Sequence, residues 1–499
     1  MPGIDRAAFL RRAGAVTATA ALAGAGAGTA TAQRRRRRPP LSNLARATRG
    51  PLITPGSRGY QSARRVVNTR YSGARPLAVL MARSVSDVRE AVRWCARNDV
   101  RITARSGGHS YAGYSTINGG LVVDLTALDG LQIAPGGRTV QAGAGGRLLE
   151  FYSGLARRGL TVPAGSCPTV GVGGLSLGGG VGLASRALGT TSDNVVAMTV
   201  VTADGRARSC DARNNADLFW ACRGGGGGNF GITTGFTFRT HAVRTASYFF
   251  ASFDWEDAED VVARWQRWAP NAPDELFSLC SLSTGSSGPV LNVFGQYMGP
   301  ASALRRVLGG LTSAASPRNL SAGNSTYMNL ILRWAGCLGE SPAECRRLPY
   351  APFKAKSSYV LEPVSRRGIA TMTSWIERRQ SQSSLGSGAI LLDSYGGVIN
   401  EVPADATAFV HRDALYSCQF IAYWGSGSGA QRAALSWIGG FYRAMRPFVS
   451  QYAYQNYIDP DLGSWRNAYY GANYDRLVDV KTQYDPDDLF RFRQSIPTR

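Results

Sequence analysis

An α+β fold in two parts is what this sequence predicts, and three observations carry that expectation. The chain has 499 residues, more than a single hydrophobic core usually organises. Between about residues 68 and 242, short strand-like runs alternate with helical patterns. From about Ser247 to Val449 the character changes, and the strand-like runs read as members of one large sheet with helices between them.

The elements follow in order. Residues 76–81 (PLAVLM) form a strand-like run. Residues 85–98 carry apolar side chains at Val85, Val88, Val92 and Cys95, the helical period, with Ser84 or Ser86 as the cap. Residues 100–104 form a second strand that runs straight into Arg105-Ser106-Gly107-Gly108-His109-Ser110. Residues 121–125 and 139–143 add strands, and residues 147–158 a helix. In the second part, residues 247–253, 290–297, 389–395 and 419–424 are strands, and residues 256–268 and 432–445 are helices. The last fifty residues are dense in Tyr, Asn and Asp, and the sequence holds no internal repeat.

A formal charge of +23 raises nucleic-acid binding. Only three of the 56 basic residues are lysines (Lys354, Lys356, Lys481), in a chain also rich in Ala and Gly. Such a bias is explained more simply by a GC-rich coding sequence than by a phosphate-binding surface, and charge alone speaks to steering. No nucleic acid is expected as partner. Attraction of anionic substrates or cell-wall polymers stays open.

The first 32 residues read as an export signal. Arg11-Arg12 precede a short apolar run at residues 13–28, and Ala30-Thr31-Ala32 has the form of a cleavage site. Residues 6–11 resemble a twin-arginine signal but carry Ala7 where the second arginine belongs. The run is too short and too weakly apolar for a membrane anchor, and no span is expected once the signal is removed. Residues 33–67 form a basic leader, with arginines at 34–38, and a first helix. Eight cysteines in so long a chain do not make a disulfide framework. Cys337 and Cys345 are the expected disulfide and Cys95 a buried thiol.

Two glycine-rich stretches carry the chemistry. In Arg105–Tyr111 the two glycines after Ser106 let successive N–H groups turn toward one anion, and His109 lies beside whatever the loop holds. An ordinary turn with a solvated histidine explains that stretch equally well when it is taken alone. Between Gly165 and Gly182 stand eight glycines in eighteen residues, which would cripple a packed element and suit backbone wrapped round a ligand of dinucleotide size. Cys167 stands at the mouth of that stretch; its bland alternative is a structural thiol. A formal G-x-G-x-x-G at Gly226, Gly228 and Gly231 is not a Rossmann fingerprint, because no βαβ unit or distal acidic residue accompanies it. No metal motif is present, and no metal is expected.

Together, Arg105–Tyr111, Cys167–Gly182, Gly228–Ile232 and a C-terminal signature resemble the berberine-bridge-enzyme-like oxidases of the vanillyl-alcohol-oxidase FAD superfamily. The signature comprises Asn456-Tyr457-Ile458-Asp459, Trp465, residues 469–477 and residues 484–490. The resemblance covers roughly residues 45–499. It implies a PCMH-type FAD-binding domain at 68–245 and a substrate domain at 246–449, whose large antiparallel sheet is covered by helices. It also implies that residues 450–499 return to the FAD domain.

Further implications concern the site. FAD would be attached twice, by its 8α-methyl to His109 and by its C6 to Cys167. Arg105, Ser106, Gly107, Gly108, Ser110, Gly171, Gly173, Gly174, Gly178, Gly179, Gly182, Asp193, Asn194, Gly231, Ile232, Tyr470 and Asn473 would complete its binding site. A hydride would pass to the flavin while Tyr457 removes the hydroxyl proton. A free tyrosine titrates near 10, so that phenolate needs stabilisation. Asp393 or Tyr395 would orient it or relay the proton, and Gln419 occupies the place of a strand-borne polar site residue. Val170 resembles the small valine of oxygen-reactive members, favouring O2 as acceptor and H2O2 as product. The implied activity is oxidation of CH–OH groups in a small molecule, sugar, oligosaccharide or glycosylated natural product. Two alternatives stand beside it: tailoring of a polyketide or alkaloid-like metabolite, and a basic secreted binding protein that has lost catalysis.

Overall fold

The computed structural model describes residues 40–313 and 315–499, so the export signal and the arginine run fall outside the described residues. The first sheet holds β1 (Leu52–Ile53), β2 (Ala78–Met81), β3 (Ile102–Arg105) and β4 (Leu121–Asp124) in the order β1-β2-β4-β3. β2, β4 and β3 are parallel, so the chain needs a crossover to pass from β2 to β3, on the far side of β4. The helix Val85–Asn98 supplies it. Ser84 caps that helix by accepting from Asp87 N, and Asp99 ends it in the left-handed conformation at φ 50°. The chain therefore spends Val100 on the return, and β3 starts two residues later than the apolar run suggested. Val88, Ala91, Val92 and Cys95 are buried, whereas Val85 lies off the stripe at the helix start and is exposed.

The second sheet is antiparallel. It contains β5 (Leu131–Ile133), β6 (Thr139–Gly143), β8 (Val195–Val201), β9 (Ala207–Asp211) and β10 (Ile232–Arg239) in the order β5-β6-β10-β8-β9. β7 (Leu160–Thr161) pairs separately with β11 (His241–Ala242). Gly226, Gly228 and Gly231 thus precede a strand with antiparallel neighbours, not a Rossmann crossover.

The second part is one seven-stranded antiparallel sheet. Its strands are β12 (Thr245–Phe253), β13 (Leu276–Thr284), β14 (Pro289–Tyr297), β15 (Asn319–Thr326), β16 (Phe353–Val360), β17 (Gly388–Ser394) and β18 (Tyr416–Tyr423), in the order β15-β12-β14-β13-β17-β18-β16. Helices Ala258–Trp268, Ala301–Thr312, Arg366–Gln380 and Ser428–Met445 pack on one face, where Cys418, Phe420 and Ala422 of β18 join their core. The alternate residues Ile421 and Tyr423 join Phe353, Ala355 and Leu391 on the other face, with Tyr111 of the first part packed against them. Every residue of β13, β16, β17 and β18 is buried, so these strands lack the polar-out alternation of a one-sided sheet.

The C-terminal segment packs into the core of the first part through Tyr469, Tyr470, Leu477, Val480, Phe490 and Ile496. Arg412 ties the two parts by a two-pronged ion pair to Asp193 at 2.7 and 2.9 Å. Cys337 and Cys345 are disulfide-bonded, as the spacing suggested. Among the described residues no helix is long and apolar enough to cross a membrane.

Candidate active site

A cleft runs between the two parts and encloses about 1810 Å³, its open mouth included. Its floor is the pair of glycine-rich stretches. At Gly107 a β-carbon would stand 2.4 Å from Gly171 N, and at Gly171 one would stand 2.3 Å from Gly107 N. The two loops therefore touch through backbone, and no side chain fits between them. Gly108 turns the first loop at φ 72°. Ser106 anchors that loop by donating to Ala144 O at 2.6 Å. Arg105 does not reach the cleft. Its buried guanidinium bonds Asp124 at 2.6 Å and the carbonyls of Arg65 and Ala63, so it holds the loop from behind.

His109 and Cys167 come together although they stand 58 positions apart in the chain. Both meet Thr169: its hydroxyl lies 3.0 Å from His109 Nε2 and 3.7 Å from Cys167 Sγ. His109 shows part of its surface to the cleft but is otherwise enclosed. Burial, with the Arg147 charge nearby, lowers its pKa to about 4, so the imidazole is neutral and keeps a lone pair. Of the six cysteines outside the disulfide, Cys167 alone is not buried. Burial pushes the thiols of Cys95, Cys210, Cys222, Cys280 and Cys418 up, which suppresses thiolate chemistry there.

The facing wall is aromatic. Tyr457 stacks on Tyr111 with ring centroids 5.3 Å apart and planes 8° from parallel, and meets the edge of Tyr454 at 4.9 Å. Phe353 abuts Tyr111 at 5.0 Å. Gln419, on β18 beneath this wall, donates to the Tyr111 hydroxyl at 2.9 Å. Asp393 and Tyr395 lie farther back. Asp393 borders a separate small cavity with Ser166, Val181 and Gly182, and accepts from Ser417 at 3.4 Å. Tyr395 is buried with its hydroxyl 3.2 Å from that of Tyr359.

The remaining expected cofactor residues divide in two. Ser110, Gly173, Gly174, Gly231 and Ile232 line the cleft. The others stand behind it. Asp193 is paired with Arg412; burial raises its pKa, and the Arg412 bonds outweigh that and lower it. Asn194 bonds the carbonyls of Leu188 and Thr190, Tyr470 that of Gly225, and Asn473 those of Ala404 and Thr407. Gly178 and Gly179 lie under Asn456 and Phe409.

Thr169, Gln455 and Asn456 are cleft-facing or cleft-bordering residues that the motifs did not single out. Asn456 donates to Leu175 O at 2.9 Å and joins the strap bearing Tyr457 to the second glycine loop. Its place beside Tyr457 in the same short motif was the signal.

The donor set fits FAD. Paired glycine loops offer backbone N–H groups to a diphosphate, and glycine-lined space continues to Gly227, Gly228 and Thr233. A neutral imidazole and a thiol both reach the Thr169 hydroxyl beside this space.

Comparison with known proteins agrees with this geometry. Residues 76–211 match a family described as an FAD binding domain, and residues 453–497 one described as berberine and berberine like. An uncharacterized FAD-linked oxidoreductase of Bacillus subtilis, YgaK, is 33% identical over 455 residues, covering 90% of this chain and 97% of its own. Among solved structures, Physcomitrella patens BBE-like 1 matches with a TM-score of 0.85 and 33% identity over 92% of this chain and 100% of its own. A chitooligosaccharide oxidase matches at 0.82 and 27% over 92% and 99%. Two variants of the grass pollen allergen Phl p 4 match at 0.82 and 29%, again over 92% and 99%. One is described as a glucose dehydrogenase; the other, with an added isoleucine-to-valine exchange, as a glucose oxidase.

Proposed function

Because this chain belongs to the berberine-bridge-enzyme-like family of FAD-linked oxidoreductases, we propose that it oxidises a CH–OH group of a sugar, oligosaccharide or glycosylated natural product. In this reading FAD is tethered to both His109 and Cys167, and O2 is the acceptor. The observation that carries it is the single hydroxyl of Thr169 shared by a neutral imidazole and the one cysteine that is not buried.

FAD, when bound, supplies hydride acceptance. Everything else falls to the protein. As a phenolate, Tyr457 takes the hydroxyl proton of the substrate, and its ring is kept in place by Tyr111 and Tyr454. Gln419 fixes the Tyr111 hydroxyl and so the plane against which Tyr457 stacks. Asp393 and Tyr395 act through intervening groups. The aromatic wall of Tyr111, Phe353, Tyr423 and Tyr457 suits the apolar face of a sugar ring.

Val170 lines the cleft, and the valine exchange that accompanies the oxidase description of the Phl p 4 variant supports O2 over another acceptor. The Cys337–Cys345 disulfide supports export to an oxidising compartment.

Acid-denatured protein should stay yellow, and a flavin-sized mass should appear on the peptides carrying His109 and Cys167. Both side chains unmodified in fresh enzyme would overturn the double tether. Tyr457→Phe should keep its flavin while substrate reduces it far more slowly; fast reduction would move the base elsewhere. Oxygen uptake across a panel of oligosaccharides and aromatic glycosides addresses the substrate.

A further inference from the structure

The chain has 53 arginines and three lysines, so arginine is its default cation and each lysine marks an exception. All three lysines are buried: Lys354 is 3% exposed, Lys356 9% and Lys481 0%. Each is ion-paired. An ammonium is a compact point charge, whereas a guanidinium is a wide planar fork.

Two of them converge on one carboxylate. Lys354 and Lys356, on the edge strand β16, each bond a different oxygen of Asp459. Lys354 also pairs with Asp461 at 2.8 Å, and Asp459 Oδ1 accepts from Asp461 N at 3.0 Å. The Asp459 backbone is held as well: its N–H donates to Tyr469 Oη at 2.8 Å, and its carbonyl accepts from Gln494 at 2.8 Å. Asp459 stands two residues after Tyr457. On the other side of Tyr457, Tyr454 N donates to Ser357 Oγ of the same strand at 3.0 Å, and the Tyr454 hydroxyl accepts from Gly180 N at 2.9 Å. The short turn Gln455–Tyr457 is thus pinned at both ends to β16.

We propose that Lys354 and Lys356 are positioning residues for Tyr457: through Asp459 they hold the turn that sets the phenol against Tyr111 at the cleft. The inference rests on Tyr457 being the base, and it adds how that base is kept in register. A buried carboxylate sharing two buried ammonium groups has little freedom to shift, because any movement breaks a charged contact in a medium that screens poorly. The lysine spacing is the reason both can reach it. Residues two apart on a strand point to the same face, so Lys354 and Lys356 approach Asp459 from one side of the edge strand.

The test is a double-mutant cycle on the flavin-loaded enzyme, using Lys356→Met and Tyr457→Phe. Lys356→Met alone should slow reduction of the flavin by substrate roughly ten- to a hundredfold, the cost of misplacing a catalytic group by about an ångström. Substrate affinity and covalent flavin content should stay near wild type. In the Tyr457→Phe background the same change should have less than about a twofold further effect, since coupled residues are not additive. Hydrogen exchange should rise in the peptide spanning residues 453–462 and stay unchanged in the peptide spanning 195–211, whose two strands pair within the second sheet. A Lys356→Met effect of equal size in both backgrounds, or unchanged reduction with unchanged exchange at 453–462, would overturn the proposal. Fast reduction in Tyr457→Phe alone would instead remove the base on which it rests. If Lys356→Met does not load flavin, Lys354→Met takes its place in the cycle with the same expectations.

Discussion

Gly107→Ala offers the most direct test of the backbone cradle. The added methyl would stand 2.4 Å from Gly171 N, 2.8 Å from Thr169 O and 3.1 Å from Gly171 Cα. All three are backbone atoms, so no rotamer change relieves the overlap. Ordinary contact begins near 3.5 Å, so the loops must part by about 1 Å, and overpacking of this kind costs roughly 1–3 kcal/mol. The displaced atoms belong to the loop that carries Thr169, the hydroxyl between His109 and Cys167. Flavin content should therefore fall together with stability. Gly130→Ala, outside the cleft, is the control, since a β-carbon there meets no protein atom within 4 Å. Melting temperature without added flavin, and absorbance of the purified protein near 450 nm (about the flavin band), read the two effects. Wild-type flavin content and an unchanged melting temperature in Gly107→Ala would refute the idea that these loops need direct backbone contact.

Three further outcomes are expected. Thr169→Val removes the shared hydroxyl at nearly constant volume; one hydrogen bond is worth roughly 0.5–1.5 kcal/mol, so attachment of flavin to the His109 and Cys167 peptides should slow about three- to tenfold in timed mass spectrometry. His411 is buried against Tyr359 and Phe409, and burial lowers its pKa to about 3. The unfolded histidine binds a proton below about 6.5 and the folded one does not, so stability should drop by roughly 2 kcal/mol between pH 7.5 and 5, and His411→Phe should flatten that slope in denaturant titrations. Lys481→Met should leave the fully buried Asp485 without its cation, costing roughly 3–5 kcal/mol, visible as a large fall in melting temperature or soluble yield.

Much of the fold was legible because local rules and tertiary packing agreed. The helix Val85–Asn98 has its Ser84 cap, and its apolar stripe lies on the core. The strand Thr139–Gly143 alternates as its residues require. Agreement failed where burial is total or absent. Leu276–Thr284 is covered on both faces, so no alternation marks it. Asn319–Thr326 is a polar edge strand with one neighbour, placed by its pairing with Thr245–Phe253 and not by any apolar pattern.

The same division runs through the site. By itself the sequence determined the family and nominated the residues proposed for the chemistry, through its glycine clusters, His109, Cys167 and the Asn456–Asp459 motif. Only the tertiary structure decided which of them face the cleft. It withdrew Arg105, Asp193, Asn194, Tyr395, Tyr470 and Asn473 into supporting contacts, brought Gln455 to the cleft and set Thr169 against His109 and Cys167. The physical reason is that side-chain direction and burial are set by strand register and by loops closing across more than 250 residues of chain, as Asn456 does on Leu175. A one-dimensional pattern records residue type and spacing, and it does not record which neighbour a folded chain places on the far side.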